Sequence, residues 1–310
     1  MSVTTLPQVA AESSPDAASA AAKRPRRWYR PRTLVGRIIQ WAILLLFSAA
    51  FLYPLLWLIS ASFKPRGDVL DNRLIPKTFT WDNYWQVWQQ LPLLDWLGNS
   101  VMIAVLSALL VTVSSSLVAF GFAYFRFPGR NILFGLVLGT MMLPTAVTMI
   151  PTYLIWKDIG LLGTNVPLWG GSLFGSAFYI FLQRQFFLGL PRELFEAARI
   201  DGASYWGLFW RIARPLSMPS FIIVFIFEFQ ASWNNLQGAL IYLNLGGPQQ
   251  YTVPLGINYA LQLFSPTSGG QGDYQWVMTA ALIVTLPMLL VFAFGNRYFI
   301  EGIATQGRKG

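Results

Sequence analysis

Residues 101–125 read VMIAVLSALLVTVSSSLVAFGFAYF, a run of 25 residues without Asp, Glu, Lys or Arg. A helix that crosses a bilayer needs roughly 20 such residues, so this run predicts a membrane span. Of the chain's 310 residues, 55% are hydrophobic and 11% are charged, whereas a soluble domain carries about 25% charged residues. The expected fold class is an all-α integral membrane bundle of six transmembrane helices, at about residues 38–61, 101–125, 132–150, 166–183, 216–245 and 276–294.

Composition also excludes several classes of function. The chain has no Cys and no His, which rules out disulfides and thiolate chemistry and removes the commonest metal ligand. The net charge of +9 resides on basic residues at the ends of apolar runs, where it sets membrane orientation. We therefore expect contact with membrane lipid, no nucleic-acid partner, no metal site and no catalytic residues.

The distribution of basic residues predicts domain organisation and orientation. Residues 1–35, rich in Ala, Ser and Pro and then in Arg, are expected to be a disordered basic cytoplasmic tail with no cleaved signal peptide. A transmembrane domain is expected at 36–300, with a cytoplasmic loop at 184–215 inside it and a second cytoplasmic tail at 301–310. If the amino terminus is inside, 17 of the 22 Lys and Arg residues fall on that side. Both termini are therefore expected to be cytoplasmic.

Two pairs of glycines are spaced for close helix contact. Gly135/Gly139 and Gly171/Gly175 each form a G-x-x-x-G pattern, which lets two helix backbones approach. Packing within this chain is the favoured interpretation, and an interface with a second membrane subunit is the alternative.

The loop between the fourth and fifth runs is patterned as two short helices. It reads PRELFEAARIDGASYWGLFWRIARPLSMP from Pro191 to Pro219. Pro191 can start a helix and Gly202 can end one, so a helix is predicted at Arg192–Asp201. Ser204 is the predicted N-cap of a second helix that Pro215 ends. Aromatic side chains are expected along one face of it, at Tyr205, Trp206, Phe209 and Trp210.

This helix pair has two possible roles, an interfacial hairpin on lipid headgroups or a docking element for a partner. EAARIDGAS followed by RIARP resembles the signature of permeases of ATP-binding-cassette importers: EAA, three residues, Gly, nine residues, then Ile-x-Leu-Pro. Arg214 replaces the usual Leu. The matching positions are Glu196, Ala197, Ala198, Gly202, Ile212 and Pro215.

The resemblance extends from about residue 36 to the end of the chain. Further segments of it are SASFKP after the first run, FTWDNYWQVW in the next loop and MMLPTAVTMIPTYLIW in the third run. It is to the carbohydrate-importer branch, represented by the smaller membrane subunit of the maltose system. The fold that the resemblance implies is the type I importer permease with a coupling helix.

The resemblance also implies partners. In this family the coupling helix docks on a separate cytoplasmic ATPase dimer, and a homologous permease and an extracytoplasmic solute-binding protein complete the importer. The implied location is the inner or cell membrane of a bacterium or archaeon. ATP and Mg would be bound by the ATPase, since the chain has no G-x-x-x-x-G-K-[ST] stretch, so no cofactor and no enzyme activity are expected on it. The implied coupling residues are Glu196, Ala197, Ala198, Asp201, Gly202, Ile212 and Pro215.

Polar residues in the fifth run are candidates for the path of the cargo, because polar groups at membrane depth are costly unless they face protein or water. The candidates are Glu228, Gln230, Trp233, Asn234 and Asn235. On one continuous helix, the pairs Glu228/Asn235 and Gln230/Asn234 would lie on neighbouring faces. Hydrogen bonding between helices is the alternative role, and Glu228 could also pair with a basic residue of the partner.

Three functions stay open at this point. The first is an ATP-driven importer subunit for a sugar, or alternatively for a polyol or glycerol phosphate. The second is an ion-coupled secondary transporter with Glu228 as the titrating group, against which the lack of His and of a repeated half argues. The third is a structural or insertase-type membrane protein. Changing Glu196 or Gly202 should uncouple ATP hydrolysis from uptake only under the first.

Overall fold

A computed structural model describes the backbone of residues 34–306 and the side chains of residues 34–295. The predicted basic tail at 1–35 therefore lies almost wholly outside the described residues, as do the last four residues of the chain. The described residues divide after Pro54 into two units. The first contains residues 34–54 of one helix, and the second begins at Leu55.

The described residues are helical and contain no β-strand, which confirms the all-α class. The helices follow the apolar runs of the sequence and end near turn residues. A segment that crosses a membrane must satisfy its own backbone hydrogen bonds, and a helix does so. The α-helical segments are α1 Leu34–Ser62, α2 Asp82–Gln90, α3 Leu93–Tyr124, α4 Arg130–Thr140, α5 Thr145–Asp158, α6 Val166–Gly170, α7 Ala177–Leu188, α8 Arg192–Ile200, α9 Tyr205–Gly207, α10 Arg214–Leu216, α11 Met218–Trp233, α12 Leu236–Tyr242, α13 Val253–Leu263 and α14 Tyr274–Gln306.

Unbroken spans are fewer than the sequence suggests. Among the described residues, three helices are long and apolar enough to cross a membrane alone: α1, α3 and the Tyr274–Gly295 part of α14. Two bent pairs, α4 with α5 and α9–α10 with α11, bring the number to five if each pair is one span. The described residues thus support a bundle of several spans, but they do not contain six continuous membrane-spanning helices.

Three predicted spans are broken. The third, at 132–150, turns by 94° between α4 and α5, because Pro144 is extended and cannot continue α4. The fourth, at 166–183, consists of α6, a 3₁₀ helix and α7, and it breaks at Gly175, where φ is +77°. The fifth, at 216–245, breaks between α11 and α12. The proline positions in the third and fourth runs suggest kinks, and the described residues contain breaks in the third, fourth and fifth.

Helix α3 is the centre of the second unit and packs against α7, α11 and α14, the last through a shared cluster of buried side chains. Small residues such as Ala104, Ala108 and Ser115 have no exposed surface, which lets the neighbouring helices approach α3 closely. Gly256 of α13 faces the Trp96 ring, and a Cβ at this glycine would overlap the ring. The close contact therefore requires glycine at that position.

The two glycine pairs have different surroundings. A Cβ at Gly135 or Gly139 would meet nothing within 4 Å, so within the described chain no partner packs on them. Packing inside the chain is therefore wrong for this pair. Gly175 lies beside Ser115 of α3, which would be 3.2 Å from an added Cβ. Gly171 has open space, so only one member of the second pair has an internal partner.

Candidate functional site

The first part of the candidate site is the segment 191–217, which we name the elbow. Its first arm, α8, follows Pro191 and ends at Ile200, one residue before the predicted end at Asp201. Gly202 has φ +81°, the left-handed conformation that glycine adopts without steric cost. Its N–H donates to the carbonyl of Arg199 at 3.1 Å, and the N–H of Ala203 donates to that of Ala198 at 2.9 Å. This pair of bonds is a Schellman cap, which confirms Gly202 as the terminator of the helix.

The second arm starts as predicted and then changes its winding. The Ser204 hydroxyl accepts a hydrogen bond from the N–H of Gly207 at 3.1 Å, which confirms it as the N-cap. A π-helix follows at Leu208–Ala213 and leads into α10. Pro215 lies in α10, which ends one residue later at Leu216, so the second arm ends next to the predicted stop.

The aromatic residues of the second arm differ in exposure. Phe209 is buried, whereas Tyr205, Trp206 and Trp210 are exposed. The prediction of a single aromatic face is therefore wrong.

An aromatic base attaches the elbow to the end of α3. Phe195 is buried, with its ring centroid 6.2 Å from that of Phe120 and 5.6 Å from that of Tyr124. Phe209 packs on the same Phe120 ring at 5.4 Å. Both arms therefore share one buried cluster with α3. A force on α8 would pass directly into this helix, since packed cores deform little.

The remaining coupling candidates lie on or near the surface of the elbow. Ala198 and Ile212 are half-buried and pack against the aromatic base. The Asp201 N–H donates to the Ala197 carbonyl at 3.0 Å and so belongs to the helix cap. The exposed candidates are Glu196, Ala197, Asp201, Gly202 and Pro215.

Sequence reasoning missed one exposed residue at the tip of the elbow. Ile200 is 87% exposed, although it is a large apolar side chain. At about 100° per residue it shares a face with Ala197, opposite the buried Phe195. That spacing is the signal that could have identified it. The face opposite Phe195 thus carries two exposed apolar side chains, Ala197 and Ile200, beside the exposed carboxylate of Glu193.

A cleft of about 400 Å³ opens between the elbow and the end of α3. Aromatic rings of α3, α7 and α8 line its floor. Its charged groups are Arg126, Arg192 and Glu196. Glu196 therefore lines the same cleft as two basic side chains, Arg126 and Arg192.

The second part of the candidate site is the break between α11 and α12, which we name the helix break. The Asn235 side-chain oxygen accepts a hydrogen bond from the N–H of Gly238 at 2.8 Å and so caps α12. The Asn234 amide donates to the carbonyl of Gln230 at 2.9 Å. Because α11 ends at Trp233, the predicted relation of Glu228 to Asn235 on one continuous helix is wrong.

The five path candidates divide into an exposed set and an inward set. Gln230, Asn234 and Asn235 are exposed at the helix break. Trp233 is buried and stacks on Phe229, with ring centroids 5.8 Å apart and an interplanar angle of 18°. In this conformation its ring is covered by protein.

Glu228 also points into the bundle. Its carboxylate lies near the Tyr179 hydroxyl of α7, and it accepts a bond at 3.2 Å from the Ser232 hydroxyl one turn later in α11. The first contact is between helices and the second is within α11. The contact with Tyr179 supports an interhelical role for Glu228, the alternative that the sequence left open.

Comparison with known proteins gives concordant matches. Residues 113–304 match the model of the family described as binding-protein-dependent transport system inner membrane component. The arabinooligosaccharides transport system permease protein AraQ of Bacillus subtilis (strain 168) is 32% identical, over 91% of this chain and 99% of its own. The maltose/maltodextrin transport system permease protein MalG of Escherichia coli (strain K12) is 30% identical, over 91% and 99%.

A solved structure shares the fold. It belongs to a bacterial ABC transporter involved in the import of the acidic polysaccharide alginate. The TM-score is 0.73 at 22% identity, and the match covers 88% of this chain and 99% of the other.

Proposed function

We propose a function on one premise: this chain belongs to the family of binding-protein-dependent transport system inner membrane components. It is a permease subunit of an ATP-binding-cassette importer. What the chain contributes is therefore a path through the membrane and a mechanical connection to the protein that hydrolyses ATP. We further propose that it has no ATPase site of its own and that ATP and Mg are bound by the partner.

The observation that carries the mechanism is the elbow. Its apolar tip, with Ala197 and Ile200, is exposed, and its base, with Phe195, is buried against α3. An exposed apolar patch on a rigid support is typical of a protein docking surface. When two ATPase subunits close on ATP, they would move the tip, and the aromatic base would pass this movement to α3.

The arrangement in the membrane follows from the same premise. We propose six crossings, of which the third, fourth and fifth are broken, with both termini and the elbow in the cytoplasm. The membrane is the inner or cell membrane of a bacterium or archaeon. In membranes, irregular backbone is tolerated where it is buried in protein or lines a water-filled path, which supports broken crossings in a transporter.

A homologous permease and a solute-binding protein complete the proposed importer. No residue of α4 or α5 is buried in the described chain, and Gly135 and Gly139 leave open space for a second backbone. Helix faces of this kind are expected to pack against another membrane subunit. The solute-binding protein is supported by the description of the family itself.

The proposed cargo is a carbohydrate, with a polyol or glycerol phosphate as the alternative. The printed names of AraQ and MalG refer to arabinooligosaccharides and to maltose or maltodextrin, which supports a sugar. At the helix break, the amides of Gln230 and Asn234 are exposed where a sugar hydroxyl could exchange water for them. We assign these two residues to the path, with Asn235 as the cap that shapes it and Trp233 and Glu228 as its support.

A pair of glycine variants tests the coupling. Gly202→Ala places a Cβ at φ +81°, and Gly160→Ala does the same at φ +76°, and both glycines have open space around them. Each change costs about 1–2 kcal/mol of backbone strain. Only Gly202→Ala alters the elbow, so in the reconstituted importer it should depress uptake while ATP hydrolysis persists. Equal uptake per ATP in both variants and the parent would refute the coupling role, as would normal ATP-driven uptake in Glu196→Ala.

A further inference from the structure

A helix with a tryptophan stripe lies at the end of the bundle opposite the elbow. Helix α2 ends just before Leu93, where α3 begins, whereas the elbow packs on the last turn of α3. The indole N–H of Trp276, near the start of α14, donates to the side-chain oxygen of Gln86 at 3.0 Å. Val87 is buried in the same cluster as Leu93. Helix α2 is therefore held at the level where two membrane-spanning helices begin.

The exposed side of α2 is tryptophan-rich. Trp81, Trp85 and Trp88 fall within an arc of about 60° at ~100° per residue. This stripe lies opposite the buried side chains of Asn83 and Val87. Trp85 is 74% exposed, and the other two tryptophans are exposed as well. Such large apolar side chains in a row require a covering that the described chain does not supply.

Helix α2 is fixed in rotation by hydrogen bonds from its buried side. The Asn83 amide donates to the carbonyls of Ser62 and Lys64, each at 2.9 Å. Lys64 is only 1% exposed and bonds the Asp71 carboxylate, and this bond holds the pKa of Asp71 below its ordinary value. Because these contacts hold both the helix and the preceding loop, α2 cannot turn its tryptophans inward.

We propose that α2 lies flat in the headgroup layer of the bilayer, on the side opposite the elbow, with its tryptophan stripe at the boundary of the acyl chains. Tryptophan favours this layer because its ring is apolar and its N–H is polar. Ile75 and Phe79, both exposed, extend the apolar surface, while the exposed Arg73 and Lys77 can reach lipid phosphates. The occupant of this surface is thus a phospholipid layer.

A lipid surface fits these observations better than a protein partner does. The stripe lies beside the starts of α3 and α14, two helices long and apolar enough to cross a membrane, so we place lipid headgroups near that level. A protein partner would have to displace them. Anchoring α2 in this way would fix the outer ends of the spans while the elbow moves at the opposite end of the bundle. This anchoring role is separate from forming the path for the cargo.

The absence of cysteine from the chain makes a direct test possible. Single variants Trp85→Cys and Trp88→Cys carry a spin label in the complete importer, reconstituted in phospholipid nanodiscs. Gln90→Cys, exposed but on the other side of the same helix, is the matched control. Collision with oxygen, which concentrates in lipid, is compared with collision with a water-soluble nickel chelate. We expect oxygen to dominate at 85 and 88 and nickel to dominate at 90.

Dominance of nickel at 85 and 88 would overturn the proposal. So would labels that are open to water in the nanodisc and become protected only when the solute-binding protein is added, since that result assigns the stripe to a protein. If the cysteine variants fail to assemble, quenching of tryptophan emission by lipids brominated near the headgroup gives the answer. Trp85→Phe together with Trp88→Phe should then lower the quenched fraction, and an unchanged fraction would refute the proposal. None of these readouts depends on uptake.

Discussion

The elbow and the helix break differ in which side chains they bury and which they expose. At the elbow, apolar Ala197 and Ile200 are exposed above a base of buried aromatic rings. At the helix break, the amides of Gln230 and Asn234 are exposed while the aromatic Trp233 is drawn inside. Exposed apolar groups are stabilised by a protein or lipid surface, and exposed amides by water or hydroxyl groups. This contrast supports the proposal that the elbow is a surface for a protein partner and that the helix break lies on the path of a polar cargo.

The largest expected effect is at the base of the elbow. Phe195→Ala should remove about 3–5 kcal/mol of packing energy, since a buried aromatic side chain leaves a cavity. Uptake should be lost and the elbow should become sensitive to protease, as measured in purified importer. Phe292→Ala, at an exposed phenylalanine of α14, is the matched control and should have little effect. Normal uptake by Phe195→Ala would contradict the transmission of force through this ring.

An intermediate effect is expected at the helix break. The double change Gln230→Ala and Asn234→Ala removes two side-chain amides, each worth about 0.5–1.5 kcal/mol in a hydrogen bond. Uptake at low cargo concentration should fall by roughly fivefold to a hundredfold, while assembly with the ATPase stays intact. Gln89→Ala, an exposed glutamine of α2, is the control. If the double variant takes up cargo at the normal rate, the path does not run past these two residues.

The smallest expected effect is at the cap of α12. Asn235→Ala removes the acceptor of the Gly238 N–H and should cost about 1 kcal/mol, whereas Asn235→Ser keeps a capping oxygen. If Asn235 only shapes the break, the serine variant should recover the thermal stability and the uptake of the parent. Uptake that stays low in a stable serine variant would instead indicate that the Asn235 amide contacts the cargo.

Local signals made the elbow predictable. Gly202 ends its helix by adopting a left-handed φ, and Ser204 caps the next helix by accepting a hydrogen bond from Gly207. Both effects involve only residues close in the chain, so the sequence alone identifies them. Ala197 was found through the signature that it belongs to. Ile200 was missed because the signature does not include it. The sequence did not predict the π-helix that precedes Pro215.

The helix breaks were less predictable. Hydropathy measures how apolar a run is, and a run of the same composition fits a straight helix or a broken one. Gly175 lies against Ser115 of α3, and Glu228 lies near the Tyr179 hydroxyl, 49 positions earlier. Partners so distant along the chain leave no local trace. The open surroundings of Gly135 likewise follow from tertiary packing rather than from its spacing.

Cross-linking at the tip of the elbow tests the central claim most directly. Ile200→Cys introduces a single thiol, since the chain has no cysteine of its own, and Leu74→Cys places one at an exposed position that the proposed topology puts on the opposite side of the membrane. In the assembled, ATP-driven importer, a short bifunctional reagent should join residue 200 to the ATPase and leave residue 74 unjoined, with a yield that changes when ATP is added. An importer that takes up cargo normally while residue 200 yields no adduct with the ATPase would contradict the account.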